Sequence, residues 1–167
     1  MSDIDIRPTR FLAPISQNLV AAALADLGER YGGSGDDTPV EAMEFDPPDG
    51  GFFVAYLGDD PVGCAGWRSH TDGDGSIVAS VVAELKRMYV APEARGLGVA
   101  TAMLAAVEQS AARYGRMRMI LECGFRQPEA IALYEKLGYV RIPDFGFYRD
   151  KPGVRSFGRD LVRITSA

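Results

Sequence analysis

Cysteine is scarce in this chain of 167 residues: Cys64 and Cys123 are its two, and no CxxC pair occurs. Two isolated thiols exclude a disulfide-stapled scaffold and point to a reducing compartment. Histidine is scarcer still, with His70 alone. No His/Cys/Asp cluster has metal-ligand spacing, so no metal is expected. No run of ~18 apolar residues occurs, which argues against a membrane-spanning helix. The opening Met-Ser-Asp-Ile-Asp-Ile-Arg has neither a basic n-region nor an apolar h-region. No signal peptide is expected there, and the expected location is the cytoplasm. Positive charge is also short: 18 Lys and Arg stand against 23 Asp and Glu, a net charge of −5. Arg113, Arg116 and Arg118 are the densest basic group and form no long stripe. Neither nucleic acid nor a membrane is therefore an expected partner.

What is present is an ordinary globular mixture, 47% hydrophobic and 25% charged. That amount of apolar material in 167 residues suits one domain, residues 1–167, with one sizeable core. The alternation of Ile4 and Ile6 predicts a first strand. Helical spacing from Ser16 to Tyr31 predicts a helix capped by Ser16 and ended by Gly32 and Gly33. A short helix is expected over Pro39–Phe45. Strands follow over Gly51–Leu57 and Pro61–Arg68, then a turn at Asp72–Gly75 and a strand over Val81–Val90. A long helix is predicted over Leu97–Tyr114, with Leu97, Ala100, Leu104, Val107, Ala111 and Tyr114 on its apolar face. A strand over Met117–Glu122, a helix over Pro128–Leu137 and two last strands, Tyr139–Ile142 and Phe157–Val162, complete the order. Three strands in a row followed by β-α-β-α-β predict an α/β (α+β) fold, a mixed sheet with helices on both faces.

The segment most suggestive of chemistry is Arg95-Gly96-Leu97-Gly98-Val99-Ala100-Thr101. Two glycines at a helix start let backbone approach a ligand, and the first helical turn offers unpaired N–H groups at the positive end of the dipole. Arg95 adds a fork of donors and Thr101 a hydroxyl. The pattern predicts an anion site for phosphate or pyrophosphate. It is no P-loop, because Gly-x4-Gly-Lys-Ser/Thr is missing. It is a poor dinucleotide fingerprint, because Thr101 stands where a third glycine is required, although Glu122 lies where a ribose-binding acid would.

The string from Glu84 to Thr101, Glu-Leu-Lys-Arg-Met-Tyr-Val-Ala-Pro-Glu-Ala-Arg-Gly-Leu-Gly-Val-Ala-Thr, resembles the acetyl-CoA motif of the GNAT superfamily, Arg/Gln-x-x-Gly-x-Gly/Ala, at Arg95, Gly98 and Ala100. A second string, Gln127-Pro-Glu-Ala-Ile-Ala-Leu-Tyr-Glu-Lys-Leu-Gly-Tyr139, resembles the family's Asn-x-x-Ala-x-x-x-Tyr-x-x-x-Gly-Phe/Tyr helix. Gln127 departs from the usual Asn, which puts a helix cap and one cofactor contact in question. The resemblance implies a single-domain GNAT-like fold. Its sheet is mostly antiparallel, with six or seven strands and a splayed V-shaped cleft for acetyl-CoA.

The resemblance also assigns roles. A bulge at Lys86–Arg87 would free backbone donors. The Met88 N–H would then meet the thioester oxygen and Val90 the pantetheine amide, with Tyr89 between them. Gly96, Leu97, Gly98, Val99, Ala100 and Thr101 would cradle the pyrophosphate with Arg95, and Gln127 would touch the cofactor. Tyr134 would protonate the leaving thiolate, although its helical spacing also fits plain core packing. Glu84 would serve as base with a raised pKa, although a solvent-facing strand carboxylate is an equal reading. His70 reads as an exposed loop histidine and Cys123 as a buried strand-end thiol.

On the acceptor side, Asp36, Asp37, Glu41, Glu44 and Asp46 make an acidic loop. Phe145, Phe147, Tyr148, Arg149 and Arg155 cluster near the end. The implied activity is acetyl transfer to a primary amine of a small molecule. A protein or peptide acceptor and a non-catalytic acetyl-CoA sensor stand as alternatives. Homodimers are common in the family.

Overall fold

The computed structural model describes residues 3–70 and 81–162. The turn expected at Asp72–Gly75 lies outside them. The elements are β1 (Ile4–Pro8), α1 (Pro14–Tyr31), a 3-10 turn (Ala42–Phe45), β2 (Gly50–Leu57), β3 (Asp60–Ser69), β4 (Val82–Val90), a 3-10 turn (Pro92–Ala94), α2 (Val99–Arg113), β5 (Arg118–Gly124), α3 (Pro128–Lys136), β6 (Val140–Arg141) and β7 (Val154–Asp160). Among the described residues the seven strands make one sheet in the order β1-β2-β3-β4-β5-β7-β6. β4–β5 is parallel and the other neighbouring pairs are antiparallel. This is the mixed, mostly antiparallel sheet the sequence predicts.

β2 shows why both faces are covered. Its side chains alternate between two cores, as a period of two requires. Phe53 and Ala55 join the larger core with Trp67, Leu85, Met103, Leu104, Val107, Leu121 and Phe157, where α2 and α3 pack. Phe52 and Val54 face the other way, against Phe11, Leu19, Val20 and Phe45 of α1 and its flanking turns. Phe45 and Phe52 meet edge to face at 5.7 Å between ring centres.

Local chemistry moves several predicted boundaries. α1 starts at Pro14 because proline suits the first turn of a helix, and no side chain caps it. Ser16 is not the cap. It lies inside the helix, fully buried, and its hydroxyl donates to the Arg10 carbonyl at 2.7 Å. The helix expected over Pro39–Phe45 shrinks to one 3-10 turn held by a reciprocal box between Glu41 and Glu44. α2 begins at Val99, two residues later than expected, because Gly98 takes φ +87° as its N-cap.

The feature that shapes the site is the parting of β4 from β5. The two pair only over Val82–Glu84 and Arg118–Ile120, and beyond this they diverge. On the other edge of β4 the register with β3 slips between Cys64 and Gly66, and Arg87 and Met88 have no partner across the ladder. That is the bulge expected at Lys86–Arg87, set at Arg87–Met88. Arg87 adopts φ +58°, the one positive φ among the described non-glycine residues. Such a conformation costs on the order of 1–3 kcal/mol and must be held by its surroundings. Here the Arg87 guanidinium pairs with Asp36, and the Cys64 thiol donates to the Arg87 carbonyl at 3.3 Å.

Candidate active site

Where β4 and β5 part, a cavity of about 510 Å³ opens. Met88 and Tyr89 line it from β4, Glu122 and Cys123 from β5, Gln127 from just before α3, Tyr134 from α3, and Asp36 from the loop after α1. The structure thus brings together Met88, Tyr89, Gln127 and Tyr134 of the predicted cofactor and catalytic residues, with Asp36, Asp37 and Tyr148 of the predicted acceptor side. The remaining cofactor and catalytic candidates sit elsewhere. Arg95 to Thr101 form the turn into α2, beyond the end of β4, and do not line this cavity. Glu84 lines a second cavity with Arg68, His70 and Arg149.

The turn into α2 has the geometry of an anion cradle. Gly96 and Gly98 take φ +80° and +87°, and Gly96, Leu97 and Gly98 are exposed. Val99 is buried, Ala100 half-buried and Thr101 exposed, so the first turn of α2 is anchored on one side and open on the other. The first helical N–H groups have no intrahelical acceptor and point out of the open end. Arg95 is not extended into solvent. Its Nε donates to the Val90 carbonyl at 3.0 Å, and its Nη2 lies 3.6 Å from Asp26 Oδ2.

Tyr134 is 5% exposed and packs edge to face on Tyr139 at 5.7 Å. Burial, with a smaller contribution from Cys123, raises its pKa far above that of an ordinary phenol. Its hydroxyl therefore stays protonated at working pH and keeps a proton to give. Burial pushes the Cys123 thiol up to about 12, which leaves no thiolate for a covalent acetyl-enzyme. Gln127 precedes α3 at the N-cap position, but its side chain makes no capping hydrogen bond. Its side-chain oxygen accepts instead from the Tyr31 hydroxyl and the Gly124 N–H, both at 3.3 Å.

Glu84 departs from both readings made of it. It is neither solvent-facing nor a raised-pKa carboxyl. It is 5% exposed, with Lys86 Nζ and Arg68 Nη2 each 3.4 Å from Oε1 and His70 Nδ1 3.2 Å from Oε2. Burial pushes its pKa up, but the His70 hydrogen bond, Lys86 and Arg68 outweigh burial and hold it below the ordinary value. His70 is likewise not an exposed loop residue: its side chain is 11% exposed and meets Phe145 edge to face at 5.2 Å. Asp36, from the acidic loop, is also largely buried. Burial works against its ionisation, yet Lys86, Thr38 and Arg87 keep its pKa low, and the Tyr148 hydroxyl donates to it at 3.0 Å.

The residue that sequence reasoning undervalued is Glu122. The sequence presents it only as a possible ribose ligand, yet its side chain is 6% exposed and the residue lines the cavity. Burial is the main cause that pushes it up to about 7, reinforced by Glu84 and Asp36 and opposed by Lys86 and Arg68. The available signal was an acid directly following the apolar Met119-Ile-Leu121 of a core strand.

The comparisons with known proteins converge on one family. The Acetyltransferase (GNAT) family model matches residues 17–139. An IAA acetyltransferase of Azospirillum brasilense is 35% identical over 142 residues, 81% of this chain and 86% of that protein. A mycothiol acetyltransferase of Geodermatophilus obscurus is 30% identical over 123 residues, 72% of this chain but 39% of that longer protein. A crystal structure from Klebsiella pneumoniae, assigned as an acyl-CoA N-acyltransferase, superposes with a TM-score of 0.72 at 25% identity. It covers 95% of this chain and 98% of its own.

Proposed function

Because the chain belongs to the GNAT acetyltransferase family, whose acetyl donor is acetyl-CoA, we propose that it acetylates a primary amine of a small molecule, an amino acid or related amine, by direct nucleophilic attack. The observation that carries this reading is the parting of β4 from β5 beside an unpartnered Met88, with Tyr134 lining the same cavity. The relatives named for IAA and mycothiol support a small-molecule acceptor.

The residues present fit acetyl-CoA. The exposed turn Gly96–Gly98 and the open N–H groups of α2 suit its pyrophosphate, and the Arg95 guanidinium, beside Asp26, would add its charge there. The Met88 N–H, free of the β3 ladder, would donate to the acyl oxygen and stabilise the charge that builds there. Tyr89 and Val90 provide the backbone edge for the pantetheine arm. When the C–S bond breaks, Tyr134 passes its proton to sulfur and regains one from the nitrogen that becomes the amide.

The test is free-thiol release from acetyl-CoA against amino acids, polyamines, aminoglycosides and peptides, with the product identified by mass. Acceptor-dependent release with one N-acetylated small molecule is the expected result. Release with peptides alone would replace the small-molecule reading. Tight CoA binding without turnover on any acceptor would favour a sensor.

A further inference from the structure

Arg87 stands where a bulge of its kind ordinarily takes glycine. Between the paired residues Cys64–Tyr89 and Gly66–Lys86, Arg87 and Met88 together oppose Ala65 alone. The first of the two is left-handed, at φ +58°. A left-handed first position in a bulge usually belongs to glycine, because a side chain there is strained. Here a long cationic side chain occupies it, and the strain persists only if something outside the strand holds it.

The holder is Asp36. The Arg87 side chain, 6% exposed, runs to the loop after α1. There its Nη1 pairs with Asp36 Oδ2 and its Nη2 donates to the Thr38 carbonyl at 3.3 Å. Asp36 Oδ1 is taken by three other donors: the Thr38 N–H at 2.9 Å, the Thr38 hydroxyl at 2.6 Å and the Tyr148 hydroxyl at 3.0 Å. Tyr148 in turn accepts from the Asp37 N–H at 2.7 Å. The loop has little slack at this point. Gly35 passes α1 so closely that a Cβ on it would stand 2.3 Å from the Leu24 carbonyl oxygen. One oxygen of the Asp36 carboxyl therefore fixes the loop, and the other fixes the bulge. Burial works against its charge, and Lys86, Thr38 and Arg87 outweigh burial.

We propose that Asp36 is a positioning residue for acyl transfer: through Arg87 it locks the bulge in the left-handed form that turns the Met88 N–H out of the β3 ladder and toward the acyl oxygen. The inference rests on the role given to Met88 in the acetyltransferase reading above. Asp36 makes and breaks no bond in the reaction and stays a carboxylate throughout. What it fixes is the peptide plane between Arg87 and Met88. An oxyanion donor is effective when its N–H is already aimed at the place where charge builds. A tilt of that plane is therefore felt in the chemical step and not in the grip on the rest of acetyl-CoA. The Tyr148 bond fastens the segment between β6 and β7 to the same carboxyl, so both acceptor-side segments bear on the donor.

Asp36→Asn isolates the link. The three donors on Oδ1 hold the amide oxygen in its place, so the new amide nitrogen turns to Arg87 and sets donors against donors. A second change, Arg87→Gly, removes the need for an anchor, because glycine takes a positive φ freely. The experiment crosses the two changes in the full chain, with acetyl-CoA and n-butylamine as probes. It follows the Arg87 and Met88 backbone resonances of isotope-labelled protein beside steady-state kinetics. In Asp36→Asn the Arg87 carbon shifts should leave the left-handed range. There kcat should fall about 10- to 100-fold while the KM for acetyl-CoA holds. In the Arg87→Gly background the same Asp36→Asn change should alter kcat by less than about threefold. Unmoved Arg87 resonances in Asp36→Asn, or an equal loss of kcat in both backgrounds, would overturn the proposal. A parent with no turnover on n-butylamine would count against the small-amine reading instead, and the resonances of the ligand-free chain would still decide whether Asp36 holds the bulge.

Discussion

Replacing Gly98 by alanine separates an anion cradle from an ordinary tight turn. An added Cβ would find ordinary contact, its nearest neighbour being Ile4 Cδ1 at 3.9 Å. The cost to stability is then backbone strain alone at φ +87°, about 1–2 kcal/mol. For a domain of this size that is a fall in Tm of about 2–8 °C. Gly58, in the β2–β3 turn, is the matching control. It has φ +60° with nothing within 4 Å, so Gly58→Ala should lose a similar amount. Acetyl-CoA affinity distinguishes the two. A shifted Gly98 withdraws at least one charge-assisted N–H contact of about 1.5–3 kcal/mol, roughly 10- to 100-fold in Kd. Thermal-shift titration with acetyl-CoA reads both quantities at once. Equal affinity in Gly98→Ala and Gly58→Ala would refute the assignment of the pyrophosphate to this turn.

Other outcomes follow from the same geometry. The Glu122 carboxyl titrates near 7 in the folded protein against an ordinary 4.5, so its protonated form is favoured by folding. The penalty for ionising it is absent below pH 4.5, grows as pH rises to 7 and is then full. Glu122→Gln should be more stable than the parent by up to about 3 kcal/mol at pH 8 and equal to it at pH 4, by denaturant unfolding at each pH. Glu84 has the opposite sign. Its depressed pKa stabilises the fold above 4.5 and loses that contribution as pH falls, so Glu84→Gln should destabilise at pH 7 and converge with the parent in acid. Leu104→Ala, at a position with no exposure in the core under α2, should cost about 2–5 kcal/mol and lower Tm without changing the KM for acetyl-CoA. Tyr134→Phe should lose about 100-fold or more in kcat while acetyl-CoA affinity holds.

The fold was largely legible because its signals are local and redundant. β2 reads as a strand from its run Gly-Phe-Phe-Val-Ala-Tyr-Leu, and α2 from an apolar stripe that recurs every third or fourth residue. The pieces that slipped depend on single contacts. Ser16 looks like a cap until α1 is seen to begin at Pro14 and turn the hydroxyl inward to Arg10. The bulge was readable because Lys86 and Arg87 break the apolar pattern of β4, but its exact seat depends on an Arg87–Asp36 pair 51 residues apart. The site was legible where motif residues are adjacent in sequence and obscure where charge decides. Glu84 looked like a base, and only the convergence of Arg68, His70 and Lys86 shows that it is held ionised. Glu122 looked like a strand end, and its isolation follows from a gap between strands that no local pattern encodes.

The most direct test of the central claim is amide hydrogen exchange with and without acetyl-CoA. The account predicts new protection at Met88, on the bulge, and at Gly96 to Thr101, on the turn into α2, with little change along the β1–β2 edge. Protection confined to another surface, or none at saturating acetyl-CoA, would contradict the placement of the thioester in the gap between β4 and β5.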